Sequence, residues 1–276
     1  MTLKKILTIA GSDTSGGAGI QADLKTFQEH GTYGMTALTV VVTMDPTNWS
    51  HSVYSLPVDV LKAQIATAVS TGIDAIKTGM LSTEEVIETA GNAIKESTLS
   101  KVVIDPVMVC KGEDEVLNPG TVDAMIEHLL PNALVVTPNL FEAGQLAGLR
   151  TPKTIEDMKE AAKKIHALGA KNVFIKGGKS IKHDAAADLL FDGETFTLLE
   201  SEKSENHFNH GAGCTLAAAI TANLTNGLDV KEAVTEAKEF VSAAIANGWQ
   251  LNEYVGPVYH GAKNKFGAPT ITTTEV

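Results

Sequence analysis

The stretch NHGAGCTLAAAI, residues 209–220, sets a Gly-x-Gly turn at the head of an apolar helix-like run and places a cysteine where that helix begins. A turn of this kind lets several backbone N–H groups point outward together, and the helix dipole adds partial positive charge there. Gly211, Ala212, Gly213 and Cys214 therefore form a candidate anion hole, although a GxG before a helix also serves as a tight packing turn. Two other glycine-bearing loops compete with it. Gly17-Ala18-Gly19-Ile20-Gln21-Ala22 fits the dinucleotide fingerprint G-x-G-x-x-G/A, so a dehydrogenase has to be weighed. In that fingerprint the first glycine closes the strand directly, whereas here six residues, 11–16, separate Ala10 from Gly17. Gly178-Lys179-Ser180 matches the end of a P-loop, but Val173 occupies the place where that motif requires a glycine.

The elements that must position these loops alternate between strand and helix. Apolar or β-branched runs at 6–10, 34–43, 75–77, 102–104, 134–136 and 173–175 read as strands, with 34–43 buried on both faces. Helical stretches are expected at 20–30, 58–71, 83–95, 121–129, 155–168 and 215–224. A further one, 230–246, carries Val230, Ala233, Val234, Ala237, Phe240, Val241, Ala244 and Ile245 on one face. Asp192-Gly193, between two β-like runs in 189–199, signals a hairpin. This order predicts one α/β domain over 1–276. Its sheet is mainly parallel, covered on both faces, with ligands outside the carboxyl ends of the strands.

Composition narrows the partner. A chain of 276 residues can bury a full core, and one large domain suits it better than two small ones. A net charge of −11 provides no basic stripe, which disfavours nucleic acid and anionic membranes and leaves a small molecule as the partner. Cys110 and Cys214, the two cysteines, have no disulfide-like spacing and suit a reducing, cytoplasmic setting. The opening MTLKKILTIAG has an apolar run far too short to span a bilayer and reads as a buried strand.

Further segments occur in a fixed order: TIAGSDTSGGAGIQADLKTF after the first strand, then IKTGML, VVIDPVM, VVTPNLFEA, IKGG and finally HGAGCTLAAAI. Together they resemble the vitamin kinases of the ribokinase superfamily, specifically the hydroxymethylpyrimidine kinase group and its bacterial relatives that act as pyridoxal kinases. The resemblance spans nearly the whole chain. It implies a ribokinase-like three-layer α/β/α fold and ATP-dependent phosphorylation of a hydroxymethyl group on an aromatic nitrogen heterocycle, with Mg²⁺. It also implies a homodimer.

Carried onto this sequence, the resemblance gives each position a role. The amides of 211–214 would hold the migrating phosphoryl group, whose transition state is loose and rich in oxygen charge. Cys214 stands where ribokinase-like sugar kinases have an aspartate base. A helix N-terminus lowers a thiol pKa, so a thiolate there can replace the carboxylate, unless Cys214 merely fills space. Asn139 and Glu142 match the Asn-x-x-Glu motif that organises Mg²⁺ beside the phosphates. Lys176 would meet phosphate oxygens, and Asp105, at a strand end before proline, joins the metal shell. His210 adjoins the anion hole and is a candidate for holding phosphate; His51 and His207 also fall near the site, without zinc-like spacing.

On the acceptor side, the loop 11–19, with Gly11, Ser12 and Ala18, resembles the family's substrate loop, and Asp23 would point from the next helix toward a ring substituent. Gly79, Met80 and Val107 would line the pocket, and the segment 107–115 resembles a lid that excludes water. The pyrimidine kinases of the group carry glutamine where this chain has Met44. A thioether cannot make that amide's hydrogen bonds, which favours B6 vitamers (pyridoxal, pyridoxine, pyridoxamine) over hydroxymethylpyrimidine as the acceptor. The pyrimidine remains the alternative. Cys110 in the lid either adds reversibly to the pyridoxal aldehyde as a hemithioacetal or is an incidental exposed thiol. A non-catalytic nucleotide-binding regulator on the same fold is the alternative of a different class, and the intact site residues speak against it.

Overall fold

A computed structural model describes residues 3–108 and 120–276. Its elements run β1 (Lys5–Asp13), α1 (Gly19–Glu29), β2 (Tyr33–Met44), β3 (His51–Ser55), α2 (Val58–Ser70), β4 (Ala75–Thr78), α3 (Glu84–Ser97) and β5 (Val102–Ile104). They continue with α4 (Gly120–His128), β6 (Val135–Val136), α5 (Leu140–Ala147), α6 (Ile155–Ala167), β7 (Val173–Gly178), β8 (Ala186–Phe191) and β9 (Phe196–Ser201). The last are α7 (Ala212–Asn226), α8 (Val230–Ala246), α9 (Ala262–Phe266) and β10 (Thr272–Glu275).

Among the described residues the strands form one ten-stranded sheet in the order β10-β9-β8-β7-β6-β5-β4-β1-β2-β3. The six strands from β7 through β2 in that order are parallel to their neighbours, and both flanks turn antiparallel. Successive residues of a strand point to opposite faces, and β5 shows the consequence. Val102 and Ile104 join a core with α2 to α6, whereas Val103 joins a core with α7 and α8 on the other face. The result is the expected three-layer α/β/α arrangement. The sheet's strand order reverses around β1, whose neighbours are β4 and β2, so the carboxyl ends of β1 and β4 open a crevice there.

Local chemistry accounts for most boundaries. Thr83, Asn139, Thr154 and Asp229 each accept the N3 backbone N–H of the helix they precede, and the last three complete capping boxes with Glu142, Asp157 and Glu232. Asp192 accepts the N–H groups of Glu194 and Thr195 at 2.9 and 2.7 Å, which closes the expected β8–β9 hairpin. Two expectations need correction. β2 is only partly buried, because it lies one strand from the sheet edge and much of its surface is left half-exposed. β1 runs past Ala10 to Asp13 through an irregularity between Ala10 and Ser12, so the loop before Gly17 is shorter than it reads. The exposed edge strands β3 and β10 lack the apolar signal by which a strand is read. No helix among the described residues is long and apolar enough to cross a membrane.

Phe27 of α1 is fully buried against Ile6 and Ala75 of the sheet and Ala218 and Ala222 of α7. It locks α1 to α7, helices whose N-termini both face the crevice. Phe27→Ala is expected to lower unfolding free energy by about 3–5 kcal/mol in denaturant titrations; a loss below about 1 kcal/mol would show that α1 is held elsewhere.

Candidate active site

The carboxyl ends of five parallel strands surround a cavity of about 860 Å³. β1 delivers Gly11, Ser12 and Asp13, β4 delivers Lys77 and Gly79, β5 leads to Asp105, β6 to Asn139 and β7 to Lys176. The volume lies within the usual range of ligand pockets. The N-terminus of α7 forms one wall through residues 211–214. Gly211 holds a φ of 81°, a left-handed turn natural to glycine, and no side chain caps the helix. A Cβ on Gly211 would lie 1.8 Å from the Gly17 carbonyl oxygen, so the backbone of the acceptor-side loop touches the turn directly. α1 also begins without a side-chain cap, and its Gly19 N–H pulls the Cys214 thiol down. Two uncapped helix starts thus converge on one cysteine.

The expected thiolate is not what this environment favours in the ligand-free protein. Burial pushes the Cys214 thiol up to about 11, and the pull of the Lys77 ammonium and the Gly19 N–H only partly offsets this. Helix dipole reasoning alone misses the desolvation of a sulfur set into the cavity floor.

Charged groups are paired beneath the turn. Lys176 Nζ donates to Asp105 Oδ1 at 2.7 Å and lies 3.5 Å from where a Cβ on Gly213 would stand, so its ammonium is beside the turn. Burial opposes that charge, but the carboxylates of Asp105 and Glu142 outweigh it and hold Lys176 above its ordinary value. Asn139 and Glu142 form the α5 capping box: Asn139 Oδ1 accepts the Glu142 N–H at 2.9 Å, and Glu142 Oε2 accepts the Asn139 N–H at 2.8 Å. A parallel bridge between Asn139 and Lys176 fixes the two strand ends side by side. Burial pushes Glu142 up to about 7, against Lys176 and with a further push from Asp105. Two mutually repelling carboxylates, 2% and 3% exposed and facing one cavity, are an oxygen donor set that suits a magnesium ion. Among the described residues no group of three His, Cys, Asp or Glu side chains could hold a metal, so further oxygens would come from phosphate and water.

Gly11, Ser12, Ala18, Met44, His51, Gly79, Met80 and Val107 all line the cavity. Met44 and His51 face each other across β2 and β3. Three expectations fail. Asp23 does not line the cavity: it is fully buried, accepts Lys77 Nζ at 3.0 Å on each oxygen and accepts the Thr8 hydroxyl at 2.6 Å. Lys77, not Asp23, reaches the cavity wall; burial opposes its charge, but Asp23 overrides that and holds the ammonium above its ordinary value. His210 lines the wall but has its Nε2 on Asp13 Oδ2 at 2.7 Å, so that nitrogen is not offered to a phosphate. His207 is exposed and outside the lining. Cys110 and most of the lid segment 107–115 lie outside the described residues.

Sequence reasoning missed Lys77, Asp13 and the pair Lys238–Asp188, which joins at 2.7 Å in the cavity wall while Asp188 also accepts the Gly178 N–H at 2.9 Å. A signal existed for Lys77. A lysine inside the apolar strand AIKT requires a buried partner, because unpaired charge is costly there.

The three layers, the crevice at the strand-order reversal and the cationic turn define a ribokinase-like vitamin kinase. The chain belongs to the phosphomethylpyrimidine kinase family, whose model matches residues 13–259. It is 59% identical over 264 residues to the pyridoxine kinase of Bacillus subtilis strain 168, covering 95% of this chain and 97% of that protein. A structure of the pyridoxal kinase from Staphylococcus aureus in complex with AMP-PCP and pyridoxal aligns with a TM-score of 0.96 and 57% identity over 100% of both chains. The hydroxymethylpyrimidine/phosphomethylpyrimidine kinase of B. subtilis is more distant, at 41% identity over 263 residues, 95% of this chain and 96% of that one.

The raised Glu142 carries a stability signature. Its folded value of about 7 exceeds the ordinary 4.5, so between these values the folded state holds a proton that the unfolded chain has released. This contribution makes the ligand-free protein more stable as pH falls from about 8 towards 5. Glu142→Gln should remove that part of the slope in unfolding titrations; an unchanged slope would show that Glu142 is ionised throughout.

Proposed function

We propose that the protein transfers the terminal phosphoryl group of ATP to the 5′-hydroxymethyl group of pyridoxal, and of pyridoxine and pyridoxamine, yielding the 5′-phosphates and ADP. The observation that carries this reading is the uncapped α7 N-terminus with Lys176 beside it and Asp105 and Glu142 behind it. The acceptor oxygen forms a bond to the terminal phosphorus as the bond from phosphorus to the bridging oxygen breaks, and the alcohol proton leaves for the Cys214 sulfur. Preorganised N–H groups of Gly211, Gly213 and Cys214 and the Lys176 ammonium stabilise oxygen charge as it develops, whereas the Ala212 N–H is taken by the Asn209 carbonyl at 3.1 Å. Asp105 and Glu142 would hold magnesium, which when bound neutralises phosphate charge. Asn139 orients Glu142 through the capping box.

The acceptor ring sits among Gly11, Ser12, Ala18, Met44, His51, Met80 and Val107, where the small loop residues permit close backbone approach. Met44 supports a pyridine rather than an aminopyrimidine, since its sulfur does not match the ring's donor and acceptor pattern. The higher identity to pyridoxine kinase than to hydroxymethylpyrimidine kinase from the same organism points the same way. The lid reading for 107–115 and aldehyde capture by Cys110 belong to this proposal, as do the homodimer and a cytoplasmic setting with small-molecule partners. Pyridoxal turnover lost in Cys110→Ala, with pyridoxine turnover kept, would support the aldehyde step.

A coupled ADP-release assay tests the reading. ADP release should follow addition of pyridoxal and exceed that with hydroxymethylpyrimidine; a preference for the pyrimidine would overturn the acceptor assignment. Cys214→Ala should lower turnover by about 10²-fold or more. Because burial keeps the thiol protonated near neutrality, the competent thiolate fraction grows with pH, so turnover should climb from pH 6 to 9. Cys214→Asp, a carboxyl with a far lower ordinary pKa than a thiol, should shift that climb to lower pH. A Cys214→Ala variant that keeps most of its rate would remove the sulfur from the proton's path.

A further inference from the structure

We propose that Asp13 and His210 are positioning residues that couple the two substrate sites, so that an occupied phosphate cradle strengthens acceptor binding and an occupied acceptor pocket strengthens nucleotide binding. The proposal rests on the kinase reading above. Asp13 ends β1 and begins the loop that carries Ala18, while His210 immediately precedes the turn 211–214. Far apart in the chain, the two meet at 2.7 Å between Asp13 Oδ2 and His210 Nε2, with side chains only 8% and 10% exposed.

Each partner is committed to one of the two sites. Asp13 accepts the Ser15 N–H at 2.8 Å, the Ser15 hydroxyl at 2.7 Å and the Ala18 N–H at 2.8 Å, so one carboxylate sets the path of the acceptor loop. Burial opposes its charge, but the hydrogen bonds from His210 and Ser15 hold Asp13 down at about 2. His210 is pinned through its backbone, its N–H donating to Gly256 and its carbonyl accepting from Val258, both at 3.1 Å. Between them the loop backbone packs on the His210 ring and on the turn itself. A Cβ on Gly17 would fall 2.4 Å from His210 Cδ2, and one on Gly211 would fall 1.8 Å from the Gly17 oxygen.

Movement of the turn as it settles on a phosphate is therefore transmitted to the loop at Asp13, Gly17 and Ala18. Close-packed groups pass displacement on rather than absorb it. By thermodynamic reciprocity the tightening must be equal in both directions.

Isothermal calorimetry reads the coupling as a ratio: the affinity for pyridoxal with saturating AMP-PCP and magnesium, divided by the affinity without them. In the unmodified chain the ratio should be about 5 or more. His210→Ala and Asp13→Asn should each bring it to about 1–2, and the double variant should fall no further than either single one. His210→Gln, whose side-chain N–H can still donate to Asp13, should recover most of it. Asp13→Asn and His210→Gln keep the test open if His210→Ala does not fold. An equal ratio in the unmodified chain and the variants, or a ratio of one in the unmodified chain, would overturn the coupling while the kinase reading stands. Failure of the unmodified chain to bind pyridoxal or AMP-PCP would overturn both.

Discussion

The first turn of α7 has no side chain to satisfy its N–H groups, and the rest of the site is arranged around that unsatisfied polarity. Helix starts leave donors that need acceptors. At α3, α5, α6 and α8 a threonine, asparagine or aspartate supplies one from within the chain. At α7 the residue in that place is Gly211, and at α1 it is Ala18; both starts open on the same cavity. Neither start has a side-chain acceptor of its own.

The same logic explains the buried ion pairs nearby. Positive charge close to the turn would stray or be quenched unless a fixed carboxylate held it, and three lysines of the wall have one: Lys176 on Asp105, Lys77 on Asp23 and Lys238 on Asp188. Such pairs cost desolvation and contribute little net stability. They fix where charge sits, which is what a reaction with a charge-rich transition state requires. Glu142 is the opposite case. Burial and the nearness of Asp105 disfavour its charge in the ligand-free protein, leaving it in need of further cationic company.

Much of this was legible in the sequence, and the reasons differ by element. The helix 230–246 is read with the bounds the structure gives, because an amphipathic stripe repeats over four turns. The strand 102–104 is equally plain, since every residue is apolar and fully buried. The turn 211–214 announces itself through glycine spacing. Contacts between distant segments do not. Asp23 reads as a site acid from its neighbours in sequence, yet its partner Lys77 is brought to it only by the pairing of β1 with β4. His210 reads as a phosphate ligand because it adjoins the turn, and only the fold reveals that Asp13 takes its Nε2. The Cys214 thiol was misjudged for the same reason: a helix start is visible in the sequence, whereas the burial that opposes ionisation is a property of the assembled cavity.

The most direct measurement is a crystal structure of the protein with ADP, magnesium, a planar fluoride mimic of the migrating phosphoryl group, and pyridoxal. The mimic should lie within hydrogen-bond distance of the N–H groups of Gly211, Gly213 and Cys214 and of Lys176 Nζ, with the acceptor oxygen between it and the Cys214 sulfur. A mimic bound away from the α7 N-terminus, with those N–H groups facing only water, would contradict the central claim.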